Sequence, residues 1–137
     1  MSESSEAFIT RSEATTDGVR VEVRARYAPE QSEPSASRWF FLYSIQIVNE
    51  GTRPVQLIDR HWIIVDGSGH TEEVRGDGVV GNQPTLAPGE GFEYTSGCPL
   101  PTPFGSMTGT YGMVWDDGTE FRAEIGLFEL VEPRAIH

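Results

Sequence analysis

Residues 19–27, VRVEVRARY, alternate an apolar residue with a charged one along the whole segment. Successive side chains of an extended chain point to opposite faces. This pattern therefore makes a half-buried strand, with Val19, Val21, Val23, Ala25 and Tyr27 facing inward and Arg20, Glu22, Arg24 and Arg26 wet. The next segment, 39–49 (WFFLYSIQIVN), keeps the period of two but is richer in aromatic and β-branched residues, so it reads as a more deeply buried strand. Asn49-Glu50-Gly51 closes it in a turn. In 55–66 the alternation slips, with Val55 and Leu57 on one parity and Trp62 and Ile64 on the other. A slip without compensation would turn apolar side chains to water, so a bulge is expected near Ile58–Arg60.

Asp66-Gly67-Ser68-Gly69 then predicts a hairpin turn into 71–75. Segments 91–96, 107–115 and 120–130 complete the set, the last two joined by a tight turn at Asp116-Asp117-Gly118. No window shows sustained helical spacing. Short strands separated by turn signals predict an all-β chain, an immunoglobulin-like antiparallel sandwich of about seven strands, with Trp62 and Tyr111 as core anchors. Residues 1–16 are acidic, Ser/Thr-rich and aperiodic and read as a disordered tail, leaving 17–137 as the domain. Pro29–Ser37 reads as a mobile loop, and Cys98–Pro103 as a Pro-alternating connection outside any central strand.

Composition narrows the function. A chain of 137 residues suits one domain with a sizeable core. Its net charge of −11 disfavours nucleic-acid binding. All ten basic residues are Arg, which excludes a phosphate-loop lysine, a Schiff base and a lysine general base. No apolar run approaches the ~18 residues of a membrane span, so no membrane insertion is expected. Cys98 is the single cysteine, and the N-terminal residues lack the basic-then-apolar order of a signal peptide. Both fit a cytoplasmic protein.

Candidate sites are few. Arg75-Gly76-Asp77-Gly78-Val79-Val80-Gly81 contains a GxGxxG in which Arg75, Gly76, Gly78 and Gly81 are candidates for contacting an anion or nucleotide. No helical pattern follows, and Asp77 would repel phosphate, so a glycine-rich corner between strands is the simpler reading. His61 and His70 are weak metal candidates without ligand spacing, and His137 ends the chain. Adjacent acids (Glu72-Glu73, Asp116-Asp117) read as solvated hairpin ends. Cys98 lacks a positioned base in the sequence. Trp39, Phe40 and Phe104 fall in or beside loops, where exposed together they would suit a protein partner.

Three long stretches carry a family resemblance: VEVRARYAPEQS (Val21–Ser32), IVNEGTRPVQLIDRHWII (Ile47–Ile64) and EVRGDGVVGNQPTLAPGEGFEYTSGCPLPTPFGSMTGTYGM (Glu73–Met113). With them the chain resembles the ApaG family of small bacterial proteins from about Gly18 to its end, although FRAEIGLFEL (Phe121–Leu130) lacks the family's Pro-rich final-strand pattern. The resemblance implies an immunoglobulin- or fibronectin-III-like sandwich and an association with cobalt resistance and magnesium efflux. It also implies gene neighbourhood with a diadenosine tetraphosphate hydrolase, and kinship with eukaryotic interaction modules, one of them in an F-box ubiquitin-ligase subunit. The function implied is that of a non-catalytic binding or interaction module without a cofactor. It would act through an unknown protein partner or small ligand, with homo-oligomerisation left open. Nucleotide or pyrophosphate binding by loop 75–81 and direct divalent-metal binding are the alternatives.

Overall fold

The alternation in 19–27 becomes the spine of a sandwich. In the computed structural model, which describes residues 8–136, Val19, Val21, Val23 and Ala25 are all buried on one face of strand β2 (Val19–Tyr27). It is flanked by β1 (Thr10–Thr16) and β3 (Trp39–Asn49), and β7 (Gly91–Leu100) lies beyond β3, giving the order β1-β2-β3-β7. The second sheet runs β5 (Thr71–Asp77), β4 (Val55–Asp66), β8 (Phe104–Trp115), β9 (Glu120–Val131), with the two-residue β6 (Thr85–Leu86) also on β4. Every pairing is antiparallel. The inner faces meet around Trp62, whose ring is edge-on to Tyr43 (5.5 Å), Phe128 (6.0 Å) and Tyr111 (6.4 Å). Such crossed aromatic contacts stabilise beyond the area they bury.

All seven segments read as strands are strands, and β1 and β6 join them. The bulge lies where the slip in parity placed it. Leu57 pairs with Met113 and Asp59 with Gly112, so Ile58 has no partner on β8. The inward parity thereby switches from Leu57 to Trp62, and both bury against the core. Both hairpins form as expected. Asp66 Oδ1 accepts from the amides of Ser68 (2.9 Å) and His70 (3.1 Å), and Asp117 Oδ1 from that of Thr119 (2.9 Å).

Three expectations are corrected. Of the tail 1–16, residues 1–7 lie outside the described residues, but Thr10–Thr16 pairs with β2 along its full length and is no disordered tail. Its inward positions are Thr10, Ser12, Ala14 and Thr16, so it has no hydropathy signal. What holds it is hydroxyl chemistry. Thr10 Oγ1 donates to the Glu129 carbonyl, Ser12 Oγ to that of Gly126 (2.7 Å), and Thr16 Oγ1 accepts from the Glu124 amide (3.0 Å). Pro29–Ser37 folds as two 3-10 turns, Pro29–Gln31 and Pro34–Ala36. Ser32 Oγ locks them by donating to the Ala28 carbonyl and accepting from the Phe40 amide, each at 2.8 Å. Finally, Cys98-Pro99-Leu100 are not a connection but the end of β7, and they lie outside any central strand as expected. This strand is a sheet edge, where Pro99's missing N–H costs no ladder bond. Among the described residues no helix is long and apolar enough to cross a membrane.

Candidate functional site

The two long sides of the sandwich differ. At β1 and β9 the hydroxyl bonds just described stitch one sheet to the other. At the opposite side the edges β5 and β7 diverge, leaving a cleft of about 460 Å³ that reaches the core. Tyr43, Tyr94, Ser96 and Cys98 line it from the first sheet, Arg60 and Trp62 from the second, with Glu72 and the exposed Val80 also on its wall.

Arg60 reaches this cleft because of the bulge. Once Ile58 is looped out, Arg60 shares the inward parity of Trp62 rather than facing solvent with His61. Its guanidinium is fixed by two backbone oxygens, Nη1 donating to the carbonyls of Asp77 (2.9 Å) and Gly78 (2.8 Å). It also lies over Gly76, its register partner on β5, where a Cβ would stand 2.7 Å from Nη2. Arg20, Arg26, Arg53, Arg75, Arg122 and Arg134 pair with carboxylates, whereas among the described residues none lies in ion-pair range of Arg60, nor of Arg11, Arg24 or Arg38.

The polar groups at the base of the cleft, and Tyr111 in the core behind it, are held neutral. Burial raises the phenols of Tyr43, Tyr94 and Tyr111, with the Arg60 charge as a small opposing influence on each. The Tyr94 and Tyr111 hydroxyls hydrogen-bond to each other. Burial, followed by the charge of Glu72, pushes the Cys98 thiol up to about 12. At neutral pH it is a protonated, poorly nucleophilic sulfur.

The residues singled out from sequence fall in different places. Gly76 lies within β5, and its bare Cα gives Arg60 a flat seat. Gly78 (φ +64°) and Gly81 (φ +83°) make the turn that follows. The Gly78 amide donates to the bulge carbonyl of Ile58, and Val79 and Asn82 exchange amide–carbonyl bonds, all at 2.8 Å. The N–H groups of Gly78, Val79 and Asn82 are thus engaged within the fold. Arg75 points out from the opposite face of β5 and pairs with Glu73 at 3.2 Å. His61 Nε2 meets the same Glu73 carboxylate at 2.9 Å, while His70 lies beyond Thr71 at the hairpin end. Among the described residues no three His, Cys, Asp or Glu side chains gather as metal ligands. Nor do Phe40 and Phe104 form one patch, for Phe40 packs over Gly97 and Phe104 over Gly67. Sequence reasoning passed over Arg60, although a charged residue on the inward parity after an inferred bulge was its signal.

Comparison with known proteins places this geometry in context. The model of the ApaG domain family matches residues 29–115. Protein ApaG of Anaeromyxobacter dehalogenans is 57% identical over 126 residues, covering 92% of this chain and 99% of the relative. Protein ApaG of Bordetella pertussis is 56% identical over 117 residues, 85% of this chain and 89% of the relative. A crystal structure from Bordetella pertussis superposes with a TM-score of 0.82 at 56% identity, covering 85% of this chain and 94% of that one.

Proposed function

The chain belongs to the ApaG family, and on that footing we propose that it is a non-catalytic, cytoplasmic binding module, associated with cobalt and magnesium efflux, that works through a partner or small ligand. The observation that carries this reading is the asymmetry of the sandwich. One side is stitched shut by hydroxyls, and the other opens between β5 and β7 onto a cleft holding a cation without a carboxylate partner. Recognition on sandwiches belongs to such openings and the loops beside them, on a scaffold whose sheets stay rigid. A binding role rather than catalysis agrees with the buried, protonated thiol of Cys98 and with a His61 that faces outward against Glu73.

The nucleotide alternative draws less support, because the amides of Gly78, Val79 and Asn82 are bonded within the protein and Arg75 is turned away from them. Direct metal binding would rest on His61 and His70, at separate positions on the β4–β5 hairpin.

Affinity capture from a native cell extract tests the reading. Bait altered at the cleft by Val80→Asp should lose a partner that bait altered at Leu127, exposed on β9, retains. Capture indifferent to both changes would count against the cleft. Equilibrium dialysis against Co²⁺ and Mg²⁺, with His61→Ala and His70→Ala, addresses direct binding of the metals.

A further inference from the structure

We propose that the cleft between β5 and β7 binds a monoanionic carboxylate carried on a flat apolar group, with Arg60 receiving the carboxylate. This deepens the reading of the chain as a binding module and rests on it.

The cation comes first. Arg60 uses only Nη1 toward protein oxygens, donating to Asp77 and Gly78, and its Nε and Nη2 hydrogens have no hydrogen-bond acceptor among the described residues. A guanidinium presents its donors in a planar fork that matches a carboxylate, and such charge-assisted pairs are among the stronger hydrogen bonds. The fork is also held in advance. Two carbonyls grip one edge and the Gly76 backbone supports its face, so a ligand does not have to order a free arginine.

The walls define the rest of the ligand. Tyr43 and Trp62, in edge-on contact at 5.5 Å, close the floor of the cleft, and Tyr94, Val74 and Met107 join the Ser96 hydroxyl, Glu72 and Arg60 in a lining of mixed polar and apolar character. A small ring laid on this floor would meet the edges of Tyr43 and Tyr94 by the offset and edge contacts that the core aromatics make among themselves. The volume of about 460 Å³ falls within the range of small-molecule sites.

Charge limits the ligand to one negative unit. Arg60 is accompanied on the wall by Glu72, and the whole chain carries −11, so a polyphosphate or dianion would be repelled where a single carboxylate is neutralised. The bulge at Ile58, the glycine at 76 and the unpaired arginine thus serve one arrangement.

The test is a titration of the full chain with phenylacetate and benzoate, followed by tryptophan fluorescence and by amide chemical shifts. Saturable binding should move the amides of Gly76–Val80 and Ser96–Cys98. Benzyl alcohol and phenyl phosphate should bind about tenfold more weakly or worse. Arg60→Met should lose carboxylate binding by a similar factor, and Arg24→Gln, on the far face of β2, should retain it. N-acetyl-Gly-Gly-Phe distinguishes sources. Binding weaker than phenylacetate assigns the site to a free acid, and tighter binding assigns the same chemistry to a chain terminus. Undiminished binding by Arg60→Met overturns the proposal, as does the absence of saturation by either acid. Should Arg60→Met fail to fold, shifts of the unmodified protein confined to residues outside the cleft would overturn it equally. Loss of the carboxylate result with partner capture intact would leave the binding-module reading standing without this ligand.

Discussion

The hydroxyls of Tyr94 and Tyr111 hydrogen-bond to each other in the interior, one from β7 of the first sheet and one from β8 of the second. This is a polar tie across an apolar core, and each hydroxyl is the other's hydrogen-bonding partner. Removing one by Tyr→Phe leaves a buried hydroxyl stranded and should cost about 1–3 kcal/mol. Removing both replaces the pair with apolar surface of similar shape. Tyr94→Phe with Tyr111→Phe should therefore lose less than the sum of the single changes. Urea midpoints of the four proteins at constant m-value check this, and strict additivity would show that the hydroxyls do not depend on one another.

The same burial makes the protein sensitive to alkali. The phenols of Tyr43, Tyr94 and Tyr111 titrate above their ordinary value of 10.0, and Cys98 at about 12 against 9.0. Groups raised in the folded state hold their protons longer there than in the unfolded chain. Their contribution is complete below pH 9 and falls progressively as pH rises from 9 through 12. The urea midpoint should decline steadily across that window, with the decline beginning at higher pH in Cys98→Ala. A midpoint that rises or stays level between pH 9 and 11 would contradict the assignment of burial as the cause. Alkylation of native Cys98 at pH 8 should be slow and should accelerate on unfolding.

The three glycines of the GxGxxG have separate duties, and substitution should rank them. Gly78→Ala combines φ +64° with a Cβ 2.3 Å from the Asn82 carbonyl oxygen, and should cost about 2–3 kcal/mol. Gly81→Ala, at φ +83° with open space around it, bears only the left-handed backbone penalty of about 1–2 kcal/mol. Gly76→Ala meets only the guanidinium of Arg60, with no backbone clash and no left-handed φ, so it should cost less than Gly78→Ala, its loss coming from the displaced guanidinium and its bonds to Asp77 and Gly78. Thermal melts compare them, and a loss at Gly76 larger than that at Gly78 would show that Arg60 cannot yield.

Legibility in the sequence followed the physics of burial. Where one face is apolar and the other wet, as in Val19–Tyr27, alternation declares the strand, its faces and even the bulge at Ile58, because a register error there is expensive. β1 escaped notice because Thr10, Ser12 and Thr16 are held by hydroxyl bonds to backbone rather than by hydrophobic area. Pro99 argued against a strand that exists, since the sequence does not declare which strand is an edge. The GxGxxG drew attention to a loop, yet the chemistry beside it belongs to Arg60, sixteen positions upstream of Gly76 and brought to it only by sheet register. The inward parity of Arg60 is legible after the bulge, but its pairing with Gly76 has no local signature.

Asn49 is the buried polar residue on which the base of the sandwich depends. Its side chain, without solvent exposure, donates from Nδ2 to the carbonyls of Arg53 (2.8 Å) and Leu86 (2.9 Å) and accepts at Oδ1 from the Gly51 amide (2.9 Å). Its backbone adds bonds with Glu90 (2.9 Å) and Gly89 (2.7 Å), so one residue joins the turn after β3, the strand β6 and the turn before β7. Asn49→Ala strands all three side-chain partners and should cost about 2–4 kcal/mol. Asn49→Asp keeps the shape but turns an acceptor against two carbonyl oxygens. It should be no more stable than the alanine variant at pH 7 and should recover part of the loss as the carboxyl is protonated in acid. Amide hydrogen exchange provides the decisive reading. Protection at Gly51, Leu57, Gly89 and Glu90 should fall together in either variant, because Leu57 N donates to the Pro84 carbonyl in the segment that Asn49 anchors through Leu86. Loss confined to Gly51 would mean that Asn49 supports only its own turn.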